Sequence, residues 1–456
     1  MPPSPFSTHP PTARSNRRLH RQRRRLSAGA SFYLQASIAV FFLAGSAAPS
    51  PLYPVYARQW GFSPIVTTAV FAVYAVAVLA ALLTVGSISD HVGRRPVLFA
   101  AAATQVLAMA MFATAGGLTA LLLARVVQGL ATGAAVGAVG AGMVELHRSR
   151  GTIANAVAPA TGTAIGAIGA GLLVQFLPAP THLVYLVLAV IFAAQAVGAT
   201  RIAETATLRP GAMASLRPRL AIPPAARRPL LIATATLLAV WAIAGFYLSL
   251  GPSLVRTLSG SNSYLLSGAA IFTLAASGAV SVLILHASQD RTFLLVGISG
   301  LIVGVVVTLE SISTASLAAF FVGTLIAGLG FGAGFQGAIR TVLAVAEPHQ
   351  RTHLLSTMYV VSYLSMGLPA VAAGVLVVYG GGLVSTTREY ASAALTLAVL
   401  ALVGVLMSAR RRGNAPPLPA MSPRRLSAGC AAAPATSRSS GPAARPPAQS
   451  GRAPCT

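Results

Sequence analysis

The side chains that could do chemistry in this chain are few, and most lie at the ends of long apolar runs. Seven residues are acidic; Glu145 is the best titratable candidate and Glu310 the second, with simple interfacial charges as the alternative. Arg125 differs because it falls inside an apolar run. An ionised group inside the membrane costs free energy unless it is paired or hydrated. The position of Arg125 therefore predicts a functional role. The alternative is a side chain that extends to the nearer membrane surface.

A polar cluster follows the second apolar run and reads Gly86-Ser-Ile-Ser-Asp90-His-Val-Gly93-Arg94-Arg95-Pro96. Gly86 permits the close approach of two helices. Asp90 suits the positive N-terminal end of a helix, and the eleventh run starts on the same side of the membrane. Arg94 and Arg95 can pair with Asp90 and with lipid phosphates. The alternative is a plain basic turn.

Other kinds of chemistry lack the residues they need. Cys430 and Cys455 lie in a low-complexity tail and imply neither a disulfide framework nor a metal site. His349 and His353 lack a third close ligand, which argues against zinc. We expect no metal and no cofactor. We find no H-E-x-x-H motif and no serine nucleophile elbow, which argues against an enzyme.

The composition identifies lipid as the main solvent of the chain. Hydrophobic residues make up 55% of the sequence and charged residues 9%, whereas soluble domains carry roughly a quarter charged residues. The net charge of +25 comes from arginine alone, in runs such as Arg14 to Arg25 and Arg410 to Arg452. These runs have no interleaved aromatic residues, so they indicate contact with anionic lipid headgroups rather than nucleic acid.

Twelve apolar runs recur, each long enough to cross a ~30 Å hydrocarbon core as a helix. The predicted spans are 30–50, 64–86, 96–115, 119–145, 152–176, 181–200, 229–252, 264–286, 293–310, 315–340, 354–378 and 388–408. With residue 1 in the cytoplasm, the outer loops contain only Arg58, Arg256 and Arg388, as the positive-inside rule requires. We therefore predict a multi-pass protein of the cytoplasmic membrane with both termini inside. The alternative for the first span is a cleaved signal peptide.

The chain also repeats itself at an offset of about 200 residues. Asp90 follows the second span and Asp290 the eighth, and Gly129-Leu-Ala-Thr-Gly133 recurs as Gly328-Leu-Gly-Phe-Gly332. We predict an all-α membrane protein with two six-helix bundles related by pseudo-twofold symmetry. The predicted parts are bundles 29–200 and 229–408, a cytoplasmic linker 201–228, and disordered tails 1–28 and 409–456.

Three motifs resemble signatures of the major facilitator superfamily. The Gly86 to Arg95 loop is similar to G-x-x-x-D-x-x-G-R-R/K, and the fourth span, Arg125-Val-Val-Gln128-Gly129, to R-x-x-Q-G-x-x-x-G/A. The fifth span is similar to the antiporter pattern G-x-x-x-G-P-x-x-G-G through Gly162, Gly166, Gly169 and Gly171. Ala167 replaces its proline and Ala170 one of its glycines, and plain tight packing also explains these small residues.

The resemblance covers roughly residues 30–408 and implies a fold and a function. It implies a monomeric inner-membrane transporter that exports small hydrophobic or amphipathic molecules, such as drugs or metabolites, in exchange for protons. The Asp90 loop would latch the outward-facing state, and Arg125, Gln128, Gly129 and Glu145 would serve coupling. A facilitator or importer of sugars or other nutrients is the alternative, and a membrane-embedded enzyme is a remote one.

We expect an apolar and aromatic cavity between the halves. The candidate lining residues are Gln35, Phe42, Tyr74, Trp241, Phe246, Tyr247, Phe335, Gln336, Tyr359 and Tyr363. No carboxylate falls in the middle of a span, so the proton carrier is not evident. An Arg125 that faces the cavity without an acidic partner would favour an anionic or neutral polar substrate group over a cation.

Overall fold

The computed structural model describes residues 25–206, 210–216, 222–347 and 350–413, and the regular structure in these ranges is helical. Twelve helices are long and apolar enough to cross a membrane. They are α1 (Ala28–Ala47), α2 (Pro64–Thr84), α3 (Arg94–Ala113), α4 (Leu118–Leu146), α5 (Arg148–Phe176), α6 (Pro180–Ala199), α7 (Arg227–Ser249), α8 (Tyr264–Leu285), α9 (Asp290–Ser313), α10 (Leu317–Leu343), α11 (Arg351–Tyr379) and α12 (Gly382–Gly413). The predicted twelve-helix fold is confirmed.

Most predicted span ends lie within a few residues of the helix ends, and the first and last spans differ most. Helix α1 ends at Ala47, and a 3₁₀ turn, Ser50–Leu52, leads from it into a further helix, Tyr53–Trp60. Proline lacks only an N–H that the first turn of a helix leaves unpaired, so it starts the new helix well. The last helix begins at Gly382, earlier than predicted, because Gly381 and Gly382 adopt positive φ and complete the turn from α11 within a few residues.

The two halves repeat each other in detail. α7 is also followed by a short helix, Gly251–Ser259, and both short helices end at a left-handed glycine, Gly61 and Gly260. Helix neighbours correspond as well: α1 packs on α5 as α7 packs on α11, and α2 packs on α4 as α8 packs on α10. Between the halves, α2 meets α11 and α5 meets α8, which are again equivalent pairs. These pairings agree with the predicted two-bundle architecture.

The duplicated glycines allow helices to touch through their backbones. A Cβ atom at Gly129 would lie 2.8 Å from the Tyr74 carbonyl oxygen of α2. A Cβ atom at Gly328 would lie 2.4 Å from the Leu274 carbonyl oxygen of α8, the equivalent contact in the second half. The sequence repeat thus encodes one packing device used twice.

Parts of the predicted organisation lie outside the described residues. This holds for nearly all of the two tails, for both cysteines, for His349, and for most of the Leu216 to Leu220 stretch. Within the described part of the linker, a one-turn helix spans Ala212–Ser215.

We predict that Gly328→Ala destabilises the folded protein, whereas Gly169→Ala does not. The added methyl group at Gly328 would overlap a backbone carbonyl that cannot rotate away, and overpacking of this kind costs about 1–3 kcal/mol. A Cβ atom at Gly169 meets no atom within 4 Å, and alanine favours a helix over glycine. Thermal unfolding of both purified variants in detergent measures the difference. Equal melting temperatures would contradict the packing role of Gly328.

Candidate functional site

A cavity lies between the two halves, near the middle of the helices. It holds about 940 Å³ of space, including the part open to solvent. Helices α1, α2 and α5 line one side, and α7, α8, α10 and α11 line the other. The aromatic lining residues are Phe71, Tyr74, Trp241, Phe331, Phe335 and Tyr363. The wall is therefore built by both halves and is mainly apolar.

The structure places five of the ten cavity candidates on this wall. They are Tyr74, Trp241, Phe335, Gln336 and Tyr363. Trp241 lies at the centre of an aromatic group, with ring centroids 5.2 Å from Phe335, 5.6 Å from Tyr363 and 6.2 Å from Phe331. These contacts fix a broad aromatic surface on the second half.

The other candidates lie elsewhere. Gln35 is fully buried where α1 meets Gly142 of α4. Phe42 packs edge-on against Phe192 of α6, inside the first half. The Tyr247 hydroxyl shares a hydrogen bond with Thr324, 2.7 Å away, inside the second half. The rotation of each helix about its axis decides these positions, and helices that are apolar all round carry little signal of it.

Tyr359 and Phe246 also lie off the cavity wall. Tyr359 is one turn before Tyr363 on α11 and packs against the core of the first half. Phe246 lines a smaller pocket of the second half together with Tyr247.

Several lining residues were not predicted. They include Ser46, Phe71, Pro159, Thr163, Phe331 and Met366. Pro159 was detectable, because a proline inside a helix lacks the N–H that would bond the carbonyl four residues earlier, and so it marks an irregular turn. One turn later, the Thr163 hydroxyl donates to the Pro159 carbonyl, 3.0 Å away.

Arg125 is buried completely, one layer behind the cavity wall. Its Nη1 atom donates to the Gln128 Oε1 atom at 2.8 Å and to the Ser46 carbonyl at 3.0 Å. Its Nη2 atom donates to the Tyr53 hydroxyl. The guanidinium carbon lies 5.3 Å from the ring centroid of Tyr74 and 5.7 Å from that of Phe112. Neutral oxygens and aromatic faces therefore hold this charge.

These contacts exclude the alternative for Arg125 and correct the expectation that it faces the cavity. The side chain does not extend to the membrane surface, because its guanidinium is enclosed by Tyr53, Tyr74 and Phe112. It also does not face the cavity directly, because Ser46 and Tyr74 form the wall in front of it. The ion pairs of the described residues involve Arg94 and Arg340, whereas the hydrogen bonds of Arg125 go to neutral oxygens.

The Asp90 loop forms a compact ion-pair cluster at one end of the first half. Arg94 contacts Asp90 and donates to the Ser89 hydroxyl. It also donates to Glu145 at 3.0 Å. Glu145 in turn accepts a hydrogen bond from the Thr205 hydroxyl at 2.6 Å. Asp90 therefore pairs with Arg94 within its own half, whereas the sequence had suggested the N-terminal end of the eleventh span for it.

A carboxylate that was not predicted does occupy a helix N-terminus here. Glu204, just after α6, accepts hydrogen bonds from the backbone N–H groups of Arg94 at 2.8 Å and Arg95 at 3.1 Å. These are two of the donors that the start of α3 leaves unpaired, and the helix dipole favours a negative charge there. Gly93 precedes them with φ +103°, and a Cβ atom on it would lie 2.5 Å from Glu204.

The halves touch directly at the opposite end, around Tyr264. The Tyr264 backbone N–H donates to the Gln175 side chain of α5 at 3.0 Å, and its hydroxyl accepts from Arg58. Below it, a Cβ atom at Gly268 would lie 2.4 Å from the Ala167 carbonyl. Burial, with a further contribution from the charge of Arg58, lowers the pKa of nearby Arg256. Tight backbone packing closes this end.

The glycine pattern of α5 serves two neighbours. Cβ atoms at Gly162 and Gly166 would each lie 2.1 Å from a carbonyl oxygen of α1, at Val40 and Ala44. One at Gly171 would lie 2.9 Å from the Tyr264 carbonyl oxygen of α8. This helix therefore packs closely both within its half and across to the other half.

Comparison with solved structures finds the same fold in known transporters. The human organic anion transporter MFSD10 (TETRAN) is 16% identical over 84% of this chain and 100% of its own, with a TM-score of 0.61. A point mutant of the nucleoside transporter NupG is 13% identical over 82% of this chain and 99% of its own, with a TM-score of 0.63. Comparison with curated protein sequences finds no match.

The comparison with protein families covers more than half of the sequence. The model of the Major Facilitator Superfamily matches residues 36–309, which contain the Asp90 loop, the Arg125 helix and the glycine-rich α5. With twelve spanning helices in two equivalent bundles and a cavity between them, this chain belongs to the Major Facilitator Superfamily and is a membrane transporter.

Proposed function

We propose that this protein is a secondary active transporter of the cytoplasmic membrane that exports small hydrophobic or amphipathic molecules in exchange for protons. The observation that carries the proposal is the mainly apolar cavity between two equivalent halves that touch at one end. A rocking motion of one half against the other would expose such a cavity to each side in turn. An apolar aromatic wall with few polar groups suits a compact amphipathic molecule.

The positive-inside rule supports an orientation for this state. If the Arg94 end faces the cytoplasm, the closed end around Tyr264 faces outward. The lining part of α5, from Ala156 to Thr163, then lies in the cytoplasmic half of the membrane. We infer that the structure represents an inward-facing state, in which an exporter would take up its substrate.

The direction of transport rests on the antiporter-like pattern of α5, which packs closely on both α1 and α8. A helix that contacts both halves through glycines can transmit a change in one half to the other. A facilitator or importer shares this architecture, so the driving force decides between the two.

We propose Glu145 as the group that couples protons to this motion, with Glu310 as the weaker candidate. Among the lining residues of the cavity, none is acidic. Glu145 holds both Arg94 and, through Thr205, the linker between the halves. Its protonation would remove an ion pair and free Arg94 to take a different partner. If the Asp90 loop latches the two halves, this change of partner by Arg94 would accompany the reorientation of one half against the other.

We predict that everted membrane vesicles containing the protein accumulate an amphipathic dye when a proton gradient is imposed, and that an uncoupler abolishes the accumulation. Glu145→Gln should lose gradient-driven accumulation but keep downhill exchange, because the amide cannot exchange a proton. Glu389→Gln, at an exposed carboxylate of α12, is the matched control and should behave as the wild type. Accumulation that is insensitive to the uncoupler would contradict proton exchange, and equilibration of the dye without accumulation would favour a facilitator.

We further predict that Gly268→Leu prevents closure of the Tyr264 end. The larger side chain cannot fit against the Ala167 carbonyl, so the outward-open population should rise and transport should fall. The reporter is a single cysteine in the cavity. It is made by Thr163→Cys in a variant in which Cys430 and Cys455 are replaced by serine. A membrane-impermeant maleimide added outside intact cells should label that reporter faster in the Gly268→Leu variant. Val280→Leu, an exposed position on the same helix, is the control, and equal labelling of both variants would refute the gate.

A further inference from the structure

The polar side chains of the cavity wall are few, and two of them hydrogen-bond to the wall itself. The six are Ser46, Tyr74, Thr163, Trp241, Gln336 and Tyr363. Among the lining residues, none is Asp, Glu, Lys, Arg or His. The Ser46 hydroxyl donates to the Leu43 carbonyl at 2.8 Å, and the Thr163 hydroxyl donates to Pro159. Recognition of a polar substrate group must therefore come from the lining side chains whose polar atoms have no partner.

Trp241 supplies one such atom. Its Nε1 atom is buried, and no described residue accepts its hydrogen bond. An indole N–H can only donate. Because a buried donor without a partner is costly, Trp241 selects for a substrate that brings an acceptor.

Tyr74 supplies a second atom from the opposite half. Its side chain is 4% exposed, lines the cavity, and carries a hydroxyl without a hydrogen-bond partner. Ser46 and Thr132 lie near this hydroxyl, but neither is in hydrogen-bonding geometry, and both donate to carbonyl oxygens of their own helices. Opposite walls of the cavity thus each contain a residue with an unpaired donor.

The charge of Arg125 decides between an anionic and a neutral acceptor. Its guanidinium carbon lies 5.3 Å from the centroid of the Tyr74 ring, and its hydrogen-bond partners are neutral oxygens. In a medium of low dielectric, a buried charge without a counterion acts over several ångströms. The wall around Tyr74 and Ser46 is therefore electropositive, although the wall itself carries no charged side chain.

We propose that the substrates of this transporter are amphipathic anions: an aromatic or aliphatic body with a carboxylate or sulfonate group, for which Trp241 and Tyr74 are the donors and Arg125 the buried countercharge. The apolar body lies against Phe331, Phe335 and Tyr363. This inference rests on the proposed transport function. A cationic substrate would be bound by the faces of the same aromatic rings, and that outcome would overturn it.

The test uses three probes with one naphthyl body: a naphthyl carboxylate, its methyl ester, and a naphthyl trimethylammonium. Equilibrium dialysis with purified wild-type protein should give the tightest binding to the carboxylate, about tenfold or more above the ammonium probe. Trp241→Phe should weaken carboxylate binding about tenfold and ester binding less, because only the donor is lost. Tyr74→Phe removes the hydroxyl but keeps the ring over Arg125. It should likewise weaken carboxylate binding more than ester binding.

The chain offers a matched control in its other tryptophan. Trp60 stacks on Tyr56 at the outer end and does not line the cavity, so Trp60→Phe should leave all three affinities unchanged. Preference for the ammonium probe, equal binding of all three, or binding of none overturns the proposal. An equal loss for the ester and the carboxylate in both cavity variants also overturns it.

Vesicle uptake of the same probes separates this inference from the proposed function. A carboxylate that binds as described but does not accumulate in everted vesicles supports the assignment of the binding groups and refutes proton-driven export. Transport that prefers the ammonium probe supports the transport function and refutes the inference.

Discussion

Close backbone contact between helices is the constraint on which this fold depends. Lipid chains are as apolar as leucine side chains, so helices gain little by burying apolar surface against each other. Glycine residues lie where α4 crosses α2 and where α10 crosses α8. A Cβ atom on these glycines would lie within 3 Å of a carbonyl oxygen of the neighbouring helix. Both halves use the same device, and the cavity lies between them.

The positions of the charged side chains also follow from the lipid that surrounds the helices. Paired charges lie at one end, where Arg94 joins Asp90, Ser89 and Glu145, and Glu204 binds the start of α3. Arg125 is the exception, and the fold accommodates it with two carbonyl or amide oxygens, a phenol and three aromatic faces. A carboxylate partner would neutralise it, and removal of either partner would then leave a buried charge. Neutral partners keep its positive potential available to the cavity.

The sequence predicted whatever depends on length, composition and repetition. The twelve spans, the duplication and the glycine contacts of α4 and α10 all follow from such patterns. It predicted only part of the cavity lining. Phe42 and Tyr247 were expected there and Phe71 was not, because these residues differ only in how their helices are rotated. It also missed Glu204, whose role depends on a contact between a linker and a helix start far apart in the chain. The only local signal was the glycine at position 93, which such a contact requires.

Different kinds of interaction stabilise the two ends of the molecule. The Arg94 end is an ion-pair cluster within one half, sensitive to the protonation of Glu145. The Tyr264 end joins the halves through glycine packing and two neutral acceptors, Gln175 and the tyrosine hydroxyl, while Arg58 and Arg256 lie close enough for their charges to interact unfavourably. Its closure therefore depends on shape more than on ion pairing. The Arg94 end therefore contains groups that can titrate, whereas the Tyr264 end is held by the close fit of α5 against α8.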